Sequence, residues 1–146
     1  METIERLAAL EDIRQLTYTY GWGIDTADAA TVAGVFAVDG RYDAGGLGLG
    51  DYADRGEILA AFIEILSMLS AGSQHSVTNH RVEFTDNDHA QGTCYIMGEG
   101  IGLEGEYIQA HGAYQDTYVR TSEGWRISFR SYRELMPSRK AEWQNM

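Results

Sequence analysis

Apolar residues recur at three- and four-residue steps in the first half of the chain and mostly at alternate positions in the second. Ile4, Leu7, Ile13, Leu16 and Tyr20 make an apolar stripe with charges opposite, which predicts a helix from Ile4 to about Ile24. Gly21 and Gly23 weaken its last turn. Asp28 reads as the N-cap of a short second helix, Ala29 to Phe36, with Val32, Val35 and Phe36 inward. Arg41-Tyr42-Asp43 reads as a short strand running into the glycine-rich stretch 45–50. That spacing fits neither the dinucleotide fingerprint nor the Walker pattern, so a flexible rim loop is expected. Asp54 with Glu57 starts a third helix that ends near Ser70. Ile58, Leu59, Phe62, Ile63, Ile65, Leu66 and Leu69 leave it apolar around most of its girth, which predicts burial on more than one side.

From Gln74 onward the pattern is that of strands, over 75–84, 91–99, 106–120 and 125–134. The turn formers Asp86-Asn87-Asp88, Gly98 through Gly105, and Ser122-Glu123-Gly124 separate them. Short links between successive strands predict antiparallel hairpins. The expectation is α+β, with three helices on one face of a long, curved sheet. Strict alternation puts His80, Val82 and Phe84 on one strand face and His75 on the other. A bulge between His75 and Val82 would reconcile them; without one, His80 substitutes for His75 at the core. Tyr107, Gln109, His111 and Ala113 share a face that either lines a cavity or meets another subunit. The opposite set, Ile108, Ala110, Tyr114, Asp116 and Tyr118, is too mixed for pure solvent surface and suggests a homodimer or homotrimer. Alternation also turns Arg126 and Arg130 away from Trp125, Ile127 and Phe129, toward outward ion pairs.

The formal net charge is −11 over 146 residues, which disfavours nucleic acid and anionic membranes as partners. No apolar run approaches the roughly 20 residues of a membrane span, and the N-terminus lacks a signal-peptide pattern. A cytoplasmic protein is expected. Ten of the eleven basic residues are Arg, and Lys140 lies in the tail, so Schiff-base chemistry has no good candidate. Cys94 is alone, which excludes an intrachain disulfide, and reads as a buried inert thiol. His75, His80 and His111 lack the compact spacing of a metal site, so neither metal nor other cofactor is expected.

The helix running into Tyr20-Gly-Trp-Gly-Ile-Asp25-Thr-Ala-Asp28 is followed by Phe36, Asp39, Gly56-Glu-Ile58 and Phe62. His75-Ser-Val-Thr-Asn79-His-Arg-Val-Glu-Phe84 comes next, then Tyr114-Gln-Asp116-Thr-Tyr118-Val-Arg120 and Gly124-Trp125-Arg126-Ile127. In that order these segments resemble the SnoaL-like, nuclear transport factor 2-like superfamily, with the closest likeness to lindane dehydrochlorinase, scytalone dehydratase and bile-acid 7α-dehydratase. The resemblance covers about residues 4–135 and leaves a tail of 136–146 on a single domain. It implies a cone-shaped, cystatin-like α+β barrel around a small-molecule pocket. It also implies a cofactor-independent lyase, eliminating water or HCl from a small hydrophobic ring compound.

By that resemblance Asp25 and His75 form the acid/base pair, Tyr20 donates to the leaving group, and His111 corresponds to a second pocket histidine. An imidazole suits proton abstraction near neutral pH, and a carboxylate on its far nitrogen fixes the tautomer. Tyr20 and Asp25 lie five residues apart, about 140° around an ideal helix, so both reach one pocket only if the helix ends or distorts near Gly21 and Gly23. A straight helix would align Asp25 with Tyr18 and Trp22 instead. Those two join Tyr42, Phe62, Tyr95, Gln109, Ala113, Phe129 and Arg133 as candidate substrate contacts. An isomerase or a polyketide-type cyclase would use the same groups. A non-catalytic binding or scaffold subunit, like the small subunit of a ring-hydroxylating dioxygenase, is the alternative.

Overall fold

The computed structural model describes residues 1–141. Helix α1 spans Thr3–Asp25 and α2 spans Ala29–Gly34; strand β1 (Phe36–Asp43) and the two-residue β2 (Asp51–Tyr52) lead to α3 (Arg55–Ser67). Four long strands follow: β3 (Leu69–Phe84), β4 (His89–Gly102), β5 (Tyr107–Thr121) and β6 (Gly124–Ala141). They form one sheet in the order β2-β1-β6-β5-β4-β3, parallel between β1 and β6 and antiparallel elsewhere. The helices cover one face. The sheet is open, with β2 and β3 as its edges. Among the described residues no helix is long and apolar enough to cross a membrane.

Local chemistry sets the helix ends. Asp28 Oδ1 accepts from the Thr31 amide at 3.0 Å to cap α2. Asp54 accepts from the Glu57 amide at 2.8 Å while Glu57 accepts from the Ala53 amide at 2.7 Å, a reciprocal start to α3. Helix α1 is continuous through both glycines. They are there for close packing: a Cβ on Gly21 would lie 3.3 Å from His75 Cβ, and one on Gly23 2.9 Å from Val32.

Several expected boundaries move. Phe36 begins β1, because its amide plane joins the parallel ladder opposite Ile127. The glycine-rich stretch contains a 3₁₀ turn, Gly45–Leu47, where a Cβ on Gly46 would meet the Tyr132 carbonyl oxygen at 2.4 Å. Ile4 and Leu7 of the predicted stripe stay exposed, because at about 100° per residue they lie roughly 180° and 120° around the helix from buried Ile13, while Arg6 is the residue that packs over the Phe84 ring. Ile63 of α3 is likewise exposed, so that helix buries one broad face formed by Ile58, Phe62 and Leu66. Strand β6 carries the chain past Pro137 to Ala141, with a register shift against β5 around the proline, which has no amide hydrogen to donate. The end of the tail, with Trp143, lies outside the described residues.

Two bulges decide which side chains face the helices. In β3, Thr78 pairs with Tyr95 and Arg81 with Thr93, so Asn79 and His80 together oppose Cys94. Asn79 adopts φ 53° there, a left-handed conformation that asparagine tolerates better than most residues. The extra residue puts His75 and Val77 before it, and His80, Val82 and Phe84 after it, all on the helix side. In β6, Thr117 pairs with Phe129 and Tyr118 with Ile127, leaving Ser128 as the extra residue. Trp125 and Ile127 therefore face inward before the bulge, and Arg130 and Tyr132 after it.

Candidate active site

Asp25 is the last residue of α1 and His75 lies in the first half of β3, which packs against that helix. His75 Nδ1 and Asp25 Oδ1 are 2.6 Å apart. The same carboxylate accepts from the His75 amide through Oδ2 and from Ser73 Oγ through Oδ1, each at 2.9 Å. These donors compensate for placing an anion at a helix C-terminus, where the backbone dipole disfavours it. An ionised carboxylate only accepts, so Nδ1 carries the ring proton and the neutral imidazole keeps its lone pair on Nε2. Nε2 makes no hydrogen bond with a described residue. The two side chains retain 17% and 18% exposure, shielded but reachable. Room beside Nε2 comes from Gly98, the cross-strand partner of His75.

Tyr20 points from α1 into an aromatic cluster. Its ring meets Phe36, Tyr42, Phe62 and Tyr114 edge-on at centroid distances of 6.2, 6.1, 5.8 and 5.6 Å. Burial, reinforced by the neighbouring Tyr42 and Tyr114 hydroxyls, raises its pKa well above the ordinary value, so it is a proton donor in hydrogen bonds and not a phenolate. Among the described residues no hydrogen bond links Tyr20 to Asp25 or His75. The continuous helix sends them to different neighbours: Tyr20 to the aromatic cluster, Asp25 to the end of the helix against β3.

Under this cluster lies a buried ion pair that sequence reasoning sent outward. Arg130 Nε and Nη2 each donate to Asp116 at 2.8 Å, and both side chains are fully buried. Nη2 also reaches Thr17 Oγ1 at 3.3 Å, and the guanidinium lies 3.9 Å from the Tyr114 ring centroid and 4.5 Å from that of Tyr20. Burial opposes the charge, but the attraction and hydrogen bonds of Asp116 outweigh it and raise the Arg130 pKa well above normal. Nη1 has no partner, and the Tyr42 and Tyr132 hydroxyls are also buried without one of good geometry. The Ser128 bulge inverted the parity on which the outward assignment of Arg130 rested. The one sequence signal for the pair was Asp116 alternating with Tyr114 and Tyr118 on β5.

The faces of β5 are likewise reversed from expectation. Ala110, Tyr114, Asp116 and Tyr118 lie opposite inward residues of β4 and face the helices. Tyr107, Gln109, His111 and Ala113 lie on the outer face, where His111 pairs across from Met97 and Ala113 from Tyr95. His111 is therefore on the other side of the sheet from His75, with Nε2 buried and unpartnered. The remaining candidates divide in the same way. Tyr42 and Phe62 are buried in the aromatic cluster. Tyr18, Trp22 and Tyr95 are 46%, 69% and 52% exposed, outside the core. Gln109 bonds Glu99 on the outer face, Phe129 lies under Arg41, and Arg133 is exposed opposite Ala113.

His80 and His75 share the helix side, yet they engage different partners. His80 Nε2 meets the Tyr118 hydroxyl at 3.0 Å. Among the described residues no group of three metal-binding side chains comes together. Cys94 is buried, and burial pushes its thiol up to about 11. Three surface concavities are lined by described residues, on the outer sheet face and along the edge between α1 and the β5–β6 turn. None of the three includes Asp25 or His75.

Solved structures of similar fold match nearly the whole chain. A proposed aromatic ring hydroxylase from Novosphingobium aromaticivorans is 28% identical over 97% of this chain and 96% of its own, with a TM-score of 0.85. A hexachlorocyclohexane dehydrochlorinase from Novosphingobium barchaimii LL02 is 21% identical over 96% and 94%, at a TM-score of 0.83. A proposed scytalone dehydratase from N. aromaticivorans is 18% identical over 96% and 92%, at 0.84. No curated protein matches the chain. The family model for the SnoaL-like domain matches residues 5–131, and the chain belongs to that family.

Proposed function

We propose that the chain is a cofactor-independent lyase acting on a small hydrophobic ring compound. The observation that carries this reading is the 2.6 Å contact of Asp25 with His75 Nδ1, which leaves Nε2 unprotonated and unengaged. His75 Nε2 takes a proton from a ring carbon, and the C–H electron pair forms a carbon–carbon double bond. The neighbouring substituent departs with its own electron pair as halide, or as hydroxide that is protonated to water. Asp25 holds the tautomer and stabilises the imidazolium. General base catalysis of this kind contributes ~10²–10⁴-fold. Tyr20 and Arg130, both in the apolar interior, are the donors suited to the departing group: one is held neutral by burial, the other permanently charged with Nη1 free.

Two of the neighbours are named for an elimination, one of HCl from a chlorinated ring and one of water, and they motivate the substrate class. The test is release of halide or water from a panel of hexachlorocyclohexanes and hydroxylated ring compounds by the wild type, Asp25→Asn and His75→Gln. Turnover lost in both variants supports the reading; full turnover in either removes it. An isomerase or cyclase would depend on the same two residues and is separated by the product.

The 28% identical ring-hydroxylase neighbour favours a second reading, a subunit that supports ring oxidation by a larger partner. Co-purification of a larger oxygenase chain from the native host would support it. In the lyase reading the outer sheet face, with Tyr95, Met97 and Met136 about half exposed, is covered by further copies of this chain, which sedimentation of the purified protein tests.

A further inference from the structure

The Asn79 bulge brings His80 to the helix side, and the partners it meets there have a definite hydrogen-bond direction. Tyr118 Oη donates to Asp116 Oδ2 at 2.9 Å, because an ionised carboxylate only accepts. Having spent its proton there, the same oxygen must accept from His80 Nε2, 3.0 Å away. His80 is thus an Nε2–H tautomer, the reverse of His75. Its Nδ1 is buried without a hydrogen-bond partner. Asp116 in turn holds Arg130 by two bonds of 2.8 Å, and Thr17 bonds the guanidinium from α1. A one-way chain, His80 to Tyr118 to Asp116 to Arg130, runs across β3, β5 and β6.

We infer that His80 is a positioning residue for Arg130: by obliging Tyr118 to donate to Asp116, it keeps both carboxylate oxygens on Nε and Nη2 and leaves Nη1 for the reacting molecule. The inference deepens the proposed lyase function and rests on it for what Nη1 serves. If Tyr118 lost its donor, its hydroxyl could rotate, and Asp116 would lose the bond that fixes its plane under the guanidinium.

The chain has a built-in acid limit. His80 faces Asp116 and Tyr118 from β5, Arg130 from β6, Cys94 from β4 and Arg14 from α1. Burial, with the positive charges of Arg130 and Arg14 added, outweighs Asp116 and lowers the His80 pKa from its ordinary value. The ring is neutral at neutral pH. Protonation in acid would put a hydrogen on Nδ1, which has no acceptor, and a second cation beside Arg130.

The test is side-chain ¹H–¹⁵N spectroscopy of the labelled full-length protein, read without substrate. The expected result is an Nε2–H tautomer for His80, an Nδ1–H tautomer for His75, and a slowly exchanging Arg130 Nε–H. His80→Phe and Tyr118→Phe, each breaking the chain at a different link, should speed that exchange by about tenfold, the effect of one lost hydrogen bond. His80→Gln, whose amide still donates but does not titrate, should restore slow exchange and remove its acid dependence. An Nδ1–H tautomer at His80, or exchange as slow as wild type in either folded phenylalanine variant, overturns the inference. Asp25→Asn should leave the His80 and Arg130 signals unchanged, so failure of the lyase reading and failure of the chain are told apart.

Discussion

Gly98 sits directly across the β3–β4 ladder from His75, and a Cβ built on it would stand 3.1 Å from the imidazole Nε2. The nitrogen proposed to act as base is thus approachable because its neighbour has no side chain. Gly98→Ala should crowd this atom and Gly98→Val should cover it, while the Asp25 contact on the far side of the ring stays intact. Misplacing a reactant by about 1 Å can cost ~10²-fold in rate. The valine variant is therefore expected to lose turnover by about that factor with its fold retained, as read by circular dichroism beside the elimination assay.

Asp25→Asn leaves an amide where the carboxylate oriented the ring. Its side chain can donate to Nδ1, which would move the ring proton to Nε2 and block base catalysis. The expected loss is ~10²–10⁴-fold in kcat, with near-wild-type melting. His75 tautomers read by nitrogen chemical shifts check the cause directly.

Breaking the interior ion pair from one side should be severe. Arg130→Met strands a buried carboxylate, and Asp116→Asn strands a buried guanidinium, at about 3–5 kcal/mol each. Replacing both, as Arg130→Met with Asp116→Leu, should recover most of the stability and none of the activity. Urea titrations of the three proteins decide this; a double variant no more stable than the singles would contradict it.

Alkali should unfold the protein cooperatively through its tyrosines. Burial raises the pKa values of Tyr20, Tyr42, Tyr114 and Tyr118, with Tyr42 pushed up to about 12. In the unfolded chain such groups ionise near 10. The folded state thus holds protons that the unfolded state has released, and stability falls as pH rises from about 10 through the folded values. Each buried tyrosine steepens that fall by up to ~1.4 kcal/mol per pH unit. Tyrosinate absorbance from these four residues should appear together with loss of near-ultraviolet circular dichroism; its appearance in the folded protein would show that the interior is wetter than the structure indicates.

The helices and the antiparallel run of the four long strands were legible because periodicity, caps and short turns are local signals; the parallel pairing of β1 with β6, a long-range event, was not. The 3.6-residue stripe gave α1, and Asp28 and Asp54 gave the starts of α2 and α3. Tyr20, Asp25 and His75 were singled out by the family resemblance, and the spacing of Asp25 and His75 in the chain says nothing of their 2.6 Å contact. What was lost was parity. Strict alternation assigned Arg130 to the surface and His111 to a possible cavity, because a bulge is a nonlocal event: whether Ser128 is surplus depends on its pairing with β5. The alternation anchored on Trp125 and Ile127 was right up to Ile127 and inverted two residues later. The glycines were misjudged for a related reason. Gly21 looked like a weak point in a helix and is instead the space that lets α1 approach His75.

Asn79 and Ser128 are each one residue more than their ladders require, and this surplus determines which changes in chain length the sheet can absorb. Deleting Asn79 while keeping the pairing on either side would leave a regular ladder, with His80 alone opposite Cys94, Val82 and Phe84 still toward the helices and Arg81 and Glu83 still outward. Deleting Ser128 would likewise leave Arg130 and Tyr132 facing inward. The loss of a single codon at either bulge would thus leave inside and outside unchanged, whereas the same loss within the regular β4–β5 pairing, where no residue is surplus, would exchange them along the rest of the strand.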